Sequence, residues 1–98
     1  MTLPIVFRPL ARVEYDDDCE FYTRKSRAAG AKFVRAVEGA LSIISGQPDR
    51  YPIAEDDIRE APVMGFPYCV YYVVEADRIR VLSVFHNSRD PAIWKGRR

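Results

Sequence analysis

The residues with the greatest chemical capacity fall together near the C-terminus: His86, Asn87, Ser88, Arg89 and Asp90, with Trp94 a few positions further on. A histidine donates or accepts a proton near neutral pH and so suits general acid–base work. The planar guanidinium of Arg89 fits a phosphate or a carboxylate, and Trp94 offers a face on which a nucleobase can stack. The same residues fit a plain structural role equally well. In that role the histidine caps or packs a strand end, Arg89-Asp90 forms a surface turn and Trp94 seals the core. Arg59 is the other cation of interest. Either it pairs with Asp56, Asp57 or Glu60, or it projects from its strand to join His86 and Arg89 on one surface. Tyr68, Tyr71 and Tyr72 read first as packed aromatics of a sheet.

Other familiar chemistries have no residues to run on. No two of the five glycines have the spacing of a phosphate-cradling loop. One histidine and two distant cysteines, Cys19 and Cys69, do not make a zinc site. A Ser-His-Asp relay could be assembled only around His86, and nothing in the sequence points to its partners. No metal and no cofactor are therefore expected. The two thiols are expected to stay free in a reducing cytoplasm. The opening Met-Thr-Leu-Pro, followed by a few apolar residues and Arg8, is not read as a signal peptide, and no apolar run approaches the roughly 20 residues that a bilayer requires.

Charge is segregated rather than abundant. The net charge is +1 over 98 residues, which gives no overall electrostatic footprint for nucleic acid. Residues 14–20 nevertheless hold Glu14, Asp16, Asp17, Asp18 and Glu20 without a cation. Residues 78–98 hold Arg78, Arg80, Arg89, Lys95, Arg97 and Arg98 against Asp90 alone. The field at a surface is set locally, so blocks of opposite sign say more about partners than the total does.

The elements that must position these residues can be read from periodicity, and they make a single domain over 1–98. Leu3 to Arg8 has the composition of a short strand, and Pro9 suits the first turn of a helix. Ala11, Tyr15, Cys19, Tyr22 and Ser26 then mark one helical face, with Asp18 at its rim. Arg27 to Gly30 reads as a connection with Gly30 as breaker. A second helix follows with Phe33, Val37, Ala40, Leu41 and Ile44 on one face, ended by Gly46 and Pro48. Residues 49–58 read as an acidic loop. Ile58 to Val63 starts a strand, Met64-Gly65 turns the chain, and 66–75 and 78–86 are strands joined by a tight hairpin at Ala76-Asp77. The fold class expected is α+β, in the order β-α-α-β-β-β, with a helical hairpin on one face of a mostly antiparallel sheet.

At this point the run Phe66-Pro67-Tyr68-Cys69-Val70-Tyr71-Tyr72, the strand Ile79 to His86, and Arg89-Asp90-Pro91 with Trp94 resemble the RelE/ParE superfamily of bacterial toxins. The ParE-like, plasmid-stabilisation branch fits best, and Phe21-Tyr22, Phe33, Pro48 and Tyr51-Pro52 also fall where that group has its marks. The resemblance implies the toxin half of a type II toxin–antitoxin pair, held in a hetero-oligomeric complex by a cognate ParD-like antitoxin wrapped around it. RelE-like members cleave ribosome-bound mRNA. In that reading Arg59, His86 and Arg89 are the catalytic candidates, although 49–58 has no lysine and several carboxylates. ParE-like members instead poison DNA gyrase by protein contact. In that reading Arg89, Trp94, Lys95, Arg97 and Arg98 bind the target, and this reading is preferred. A third reading is a non-toxic relic that only holds an antitoxin.

Overall fold

The computed structural model describes residues 2–98. Strand β1 (Ile5–Phe7) leads into α1 (Pro9–Lys25) and α2 (Arg27–Gly46). Strands β2 (Ile53–Glu55), β3 (Ile58–Pro62), β4 (Tyr68–Val74) and β5 (Ile79–His86) follow, and a single helical turn, α3 (Ala92–Lys95), completes the order. The five strands lie in the order β1-β5-β4-β3-β2, antiparallel throughout except where β1 runs parallel to β5. The expected β-α-α-β-β-β arrangement is present, extended by one short edge strand and a terminal turn.

Pro9 opens α1, where a missing N–H costs nothing. The connection between the helices is shorter than the sequence suggested. Ser26 alone separates them, and its Oγ accepts from the Ala29 amide at 3.0 Å to cap α2. Gly30 therefore lies inside α2 rather than before it. It is buried against α1, where a Cβ would stand 2.2 Å from Thr23 Oγ1 and 3.0 Å from Thr23 Cα. The glycine is required by close helix contact, not by chain termination.

The acidic stretch 49–58 also holds more order than expected. Ile53–Glu55 pairs with β3, and Asp56 takes a φ of 53° in the tight turn between them, a conformation that aspartate tolerates. Gly65, at a φ of 82°, makes the expected Met64-Gly65 turn.

Strand alternation gives the sheet two apolar faces. On one, Ala11 and Tyr15 of α1 and Phe33, Val37, Ala40, Leu41 and Ile44 of α2 pack on Val70, Tyr72, Ile79, Val81 and Val84. On the other, Ile58, Cys69, Tyr71, Val73, Leu82 and Phe85 are covered by Trp94 and Ile93 of the C-terminal segment. Tyr71 stands opposite Ser83 and Tyr72 opposite Val81, so Leu82 is the extra residue of a β-bulge. Cys19 and Cys69 are free and pack on opposite faces of the sheet. Among the described residues no helix is long and apolar enough to cross a membrane.

Candidate functional site

Two carboxylates of α1, one helical turn apart, organise the end of the sheet where the C-terminal candidates lie. Glu14 is the hub of the first group. Its Oε1 accepts from Ser83 Oγ at 2.8 Å and from Arg97 Nη1 at 2.8 Å, and its Oε2 faces Arg89 Nη1 at 3.4 Å. Arg97 also donates to the Leu82 carbonyl at 3.2 Å. The side chains of Glu14 and Arg97 are only 11% and 13% exposed. An ion pair so placed resists salt and is costly to break on one side alone. Arg89 is more open and lies 5.6 Å from the Phe85 ring centroid.

Asp18 organises the second group. Tyr68 donates its phenolic proton to Asp18 Oδ1 at 3.2 Å, and the Tyr68 ring meets the His86 ring edge-on at 4.9 Å. The Ser88 amide donates to His86 Nδ1 at 3.1 Å, with Ser88 Oγ 2.7 Å from the same nitrogen. A backbone N–H can only donate, so Nδ1 accepts and the neutral ring carries its proton on Nε2. Burial pushes the Asp18 carboxyl up to about 6, against the Tyr68 hydrogen bond, which lowers it; the charge of Glu14 adds to the rise.

Arg59 is not part of this assembly. It stands opposite Tyr72 in the register, whereas His86 stands opposite Tyr68. Four residues of strand therefore separate the two positions along β4, about 13 Å. Nor does it pair with Asp56, Asp57 or Glu60. Arg59 Nη1 donates to the Tyr51 carbonyl at 2.6 Å, and Nη2 faces Asp49 Oδ1 at 3.5 Å. It ties the loop after α2 to the sheet. Asp57 is taken by Arg98, and Glu60 accepts from the Tyr71 hydroxyl.

The basic C-terminal segment is folded back onto carboxylates from three elements. Lys95 reaches Glu55 of β2 at 3.6 Å, Arg97 reaches Glu14, and Arg98 grips Asp57 with two bonds of 2.8 and 2.9 Å. Trp94 is 3% exposed and stacks on Tyr71 with ring centroids 3.9 Å apart and planes 13° from parallel. Of the residues expected to meet a target, Arg89, Lys95 and Arg98 present surface while Trp94 and Arg97 are packed inside. The tyrosines are unsuited to act as bases. Burial, joined by the Asp18 carboxylate at Tyr68 and the Glu60 carboxylate at Tyr71, pushes the Tyr68, Tyr71 and Tyr72 phenols upward. Burial likewise pushes the Cys69 thiol up to about 11, which leaves it a weak nucleophile.

Comparison with known proteins bears directly on this arrangement. Residues 5–91 match the family model described as the ParE toxin of the type II toxin–antitoxin system parDE. The chain belongs to the ParE toxin family. It is thus a toxin of the type II toxin–antitoxin class. Its backbone also superposes on a chain of the chromosomal ParDE system from P. aeruginosa with a TM-score of 0.73 at 12% identity, covering 87% of this chain and 96% of that one. A second match is to the YoeB dimer from Staphylococcus aureus, with a TM-score of 0.58 at 16% identity, covering 86% and 95%. At such identities these two likenesses speak for the fold alone. Among curated proteins no relative matches the sequence.

An apolar groove lies beside α2 of this ParE-family chain. It has a volume of about 260 Å³ and runs between α2, through Arg35, Ala36, Gly39, Ala40 and Ile43, and Tyr51, Pro62 and Met64 of the facing segments. Met64 is 78% exposed and Ile43 39%. The sequence reading missed Glu14 as the hub because its partners lie 69 to 83 residues away. The one available signal was the acidic run of α1 beside a sheet rich in arginines at its end.

Proposed function

We propose that this chain is neutralised by a cognate antitoxin and inhibits DNA gyrase by protein contact, without cleaving RNA. The observation that carries this reading is the dispersal of the residues a ribonuclease would need. Cleavage by attack of a 2′-hydroxyl needs cations gathered around one phosphate, with a base and an acid in reach. Here Arg59 holds a loop far along the sheet, Arg89 leans on Glu14, and His86 Nδ1 is occupied by Ser88. Asp18, bound by the Tyr68 whose ring meets His86, puts a carboxylate near the histidine where a phosphate would have to sit. A target surface built from Arg89, Lys95 and Arg98, buttressed by the buried Trp94 and Arg97, fits the arginine-rich interfaces proteins use with one another. The antitoxin is assigned the α2 groove, into which an amphipathic helix can lay an apolar face.

The test is a pair of assays on the purified chain. Gyrase supercoiling of a plasmid should fall as the chain is added, while ribosome-bound mRNA should stay intact. His86→Ala should change gyrase inhibition by less than about twofold. Cleaved mRNA, or loss of all activity in His86→Ala with the fold retained, would favour the RelE-like reading. No growth defect on expression without antitoxin would favour the inert relic.

A further inference from the structure

The cations of this chain divide into two populations. Arg12, Arg24, Arg59, Arg78, Arg80, Arg89, Lys95, Arg97 and Arg98 each lie against a carboxylate. Among the described residues Arg8, Lys25, Arg27, Lys32, Arg35 and Arg50 meet none, and of these Lys25, Arg27, Lys32 and Arg35 follow one another from the last turn of α1 along the first half of α2. Residues 21–37 contain no aspartate or glutamate at all. The block is as cationic as the C-terminal one, yet of its five cations only Arg24 is paired, with Glu20.

The geometry of the strip is regular. Arg27, Ala31 and Arg35 follow each other at four-residue spacing, with Lys32 three before Arg35, so they share the exposed side of α2. Lys25 joins them from the end of α1, where its Nζ lies 4.8 Å from the exposed Phe21 ring. Among the cations of α2 on that side stand only short side chains, Ala28, Ala31 and Val34, which leaves a shallow floor that a bulky polyanion can approach closely. The positive end of α2 adds to the same field.

We infer that this strip, Lys25, Arg27, Lys32 and Arg35, is a phosphate-contact surface for duplex DNA. Three features favour that occupant. First, the exposed side chains among the cations of α2 are Ala28, Ala31 and Val34, and the larger Phe21 stands outside the strip, so no aromatic ring lies at its centre for a folded partner to bury. Second, single-stranded nucleic acid is held by several stacked aromatic platforms, whereas here Phe21 stands at the margin. Third, Arg27 to Arg35 spans about 12 Å of helix, close to the width of the major groove of B-form DNA, so its ends meet phosphates of opposing strands. Residues 21–46 contain no asparagine or glutamine, so the surface has little with which to read base edges and binds without sequence preference. The inference is independent of which enzyme the toxin inhibits, although a toxin acting on a DNA-bound enzyme would gain a second foothold from it.

The test is fluorescence anisotropy of the full chain with a labelled 24-base-pair DNA duplex of arbitrary sequence, between about 20 and 150 mM salt. Four phosphate contacts predict a slope of log K against log salt of about −3.6. Lys32→Ala/Arg35→Ala should bring it to about −1.8, with circular dichroism and melting unchanged because both side chains are exposed. Lys95→Ala/Arg98→Ala should leave the slope as it is, because those cations are already paired. The inference is overturned by an absence of DNA binding at low salt, or by a slope indifferent to Lys32→Ala/Arg35→Ala. It also fails if the C-terminal pair weakens binding as much, or if an RNA duplex of equal length or labelled polyglutamate binds more tightly than the DNA. No gyrase is present, so its failure is separable from failure of the gyrase reading.

Discussion

Gly30→Ala and Gly39→Ala place the same methyl group on the same helix in opposite surroundings. At Gly39 nothing lies within 4 Å of the new Cβ, so the substitution gains only helix propensity, about 0.8–1 kcal/mol. At Gly30 the new Cβ meets Thr23 Oγ1 at 2.2 Å and Thr23 Cα and Cβ at 3.0 Å. A rotamer change of Thr23 relieves the hydroxyl contact but not the backbone one, so α1 and α2 must part by a few tenths of an ångström. Overpacking of that kind costs about 1–3 kcal/mol and offsets or exceeds the propensity gain. In a domain of this size 1 kcal/mol moves Tm by about 4–8 °C. Thermal unfolding followed by circular dichroism should therefore show Gly39→Ala above the parent and Gly30→Ala at or below it. The two should differ by about 1–3 kcal/mol. Adding Thr23→Gly to Gly30→Ala should recover part of the loss beyond the cost of Thr23→Gly alone. If Gly30→Ala melts as high as Gly39→Ala, the helices have slack at this crossing and the close-contact argument is wrong.

Asp18 provides a pH test. Its carboxyl is raised to about 6 in the folded chain against 3.8 unfolded, so the folded state binds more protons between those values. The penalty for holding Asp18 charged is fully present above pH 6 and disappears as pH falls toward 4. Asp18→Asn, which keeps an acceptor for Tyr68, should raise stability at pH 7 by on the order of 1 kcal/mol and flatten that pH dependence in urea titrations at pH 4 to 7. Trp94→Ala should destabilise by about 3 kcal/mol and expose the second sheet face, seen as increased binding of a hydrophobic dye. A surface role for the indole would instead leave Tm unchanged. Cys19 and Cys69 lie on opposite faces, so melting should be the same with and without reductant.

Much of the architecture was legible because it is carried by long periodic segments. The faces of α1 and α2 and the strands β4 and β5 follow from spacing alone, since each buries a stripe of side chains. β2 was not legible, because three exposed or half-exposed residues at a sheet edge bury nothing that a pattern could reveal. Gly30 was misread because a glycine that breaks a helix and one that admits a neighbouring helix look alike in sequence. The Ser26 cap three residues before Ala29 was the better signal. At the candidate site, His86 and Arg89 could be singled out by type. That Arg59 lies apart from them depends on register, and that Glu14 gathers Ser83, Arg89 and Arg97 depends on tertiary contact. The acidic helix and the basic end, set apart by the sequence as surfaces for a partner, meet each other through Glu14.

The parallel pairing of β1 with β5 has a consequence for the cell that makes this toxin. Ile5 cannot find Ile79, nor Glu14 find Arg97, until the roughly 70 to 80 residues between them have left the ribosome. At roughly 5–20 residues per second, synthesis of the intervening stretch takes on the order of ten seconds. During that interval the helical hairpin has no complete sheet on which to bury its apolar stripe. Chains that lack β5 and Arg97 are therefore expected to be inert, and the fold to close only once both are present.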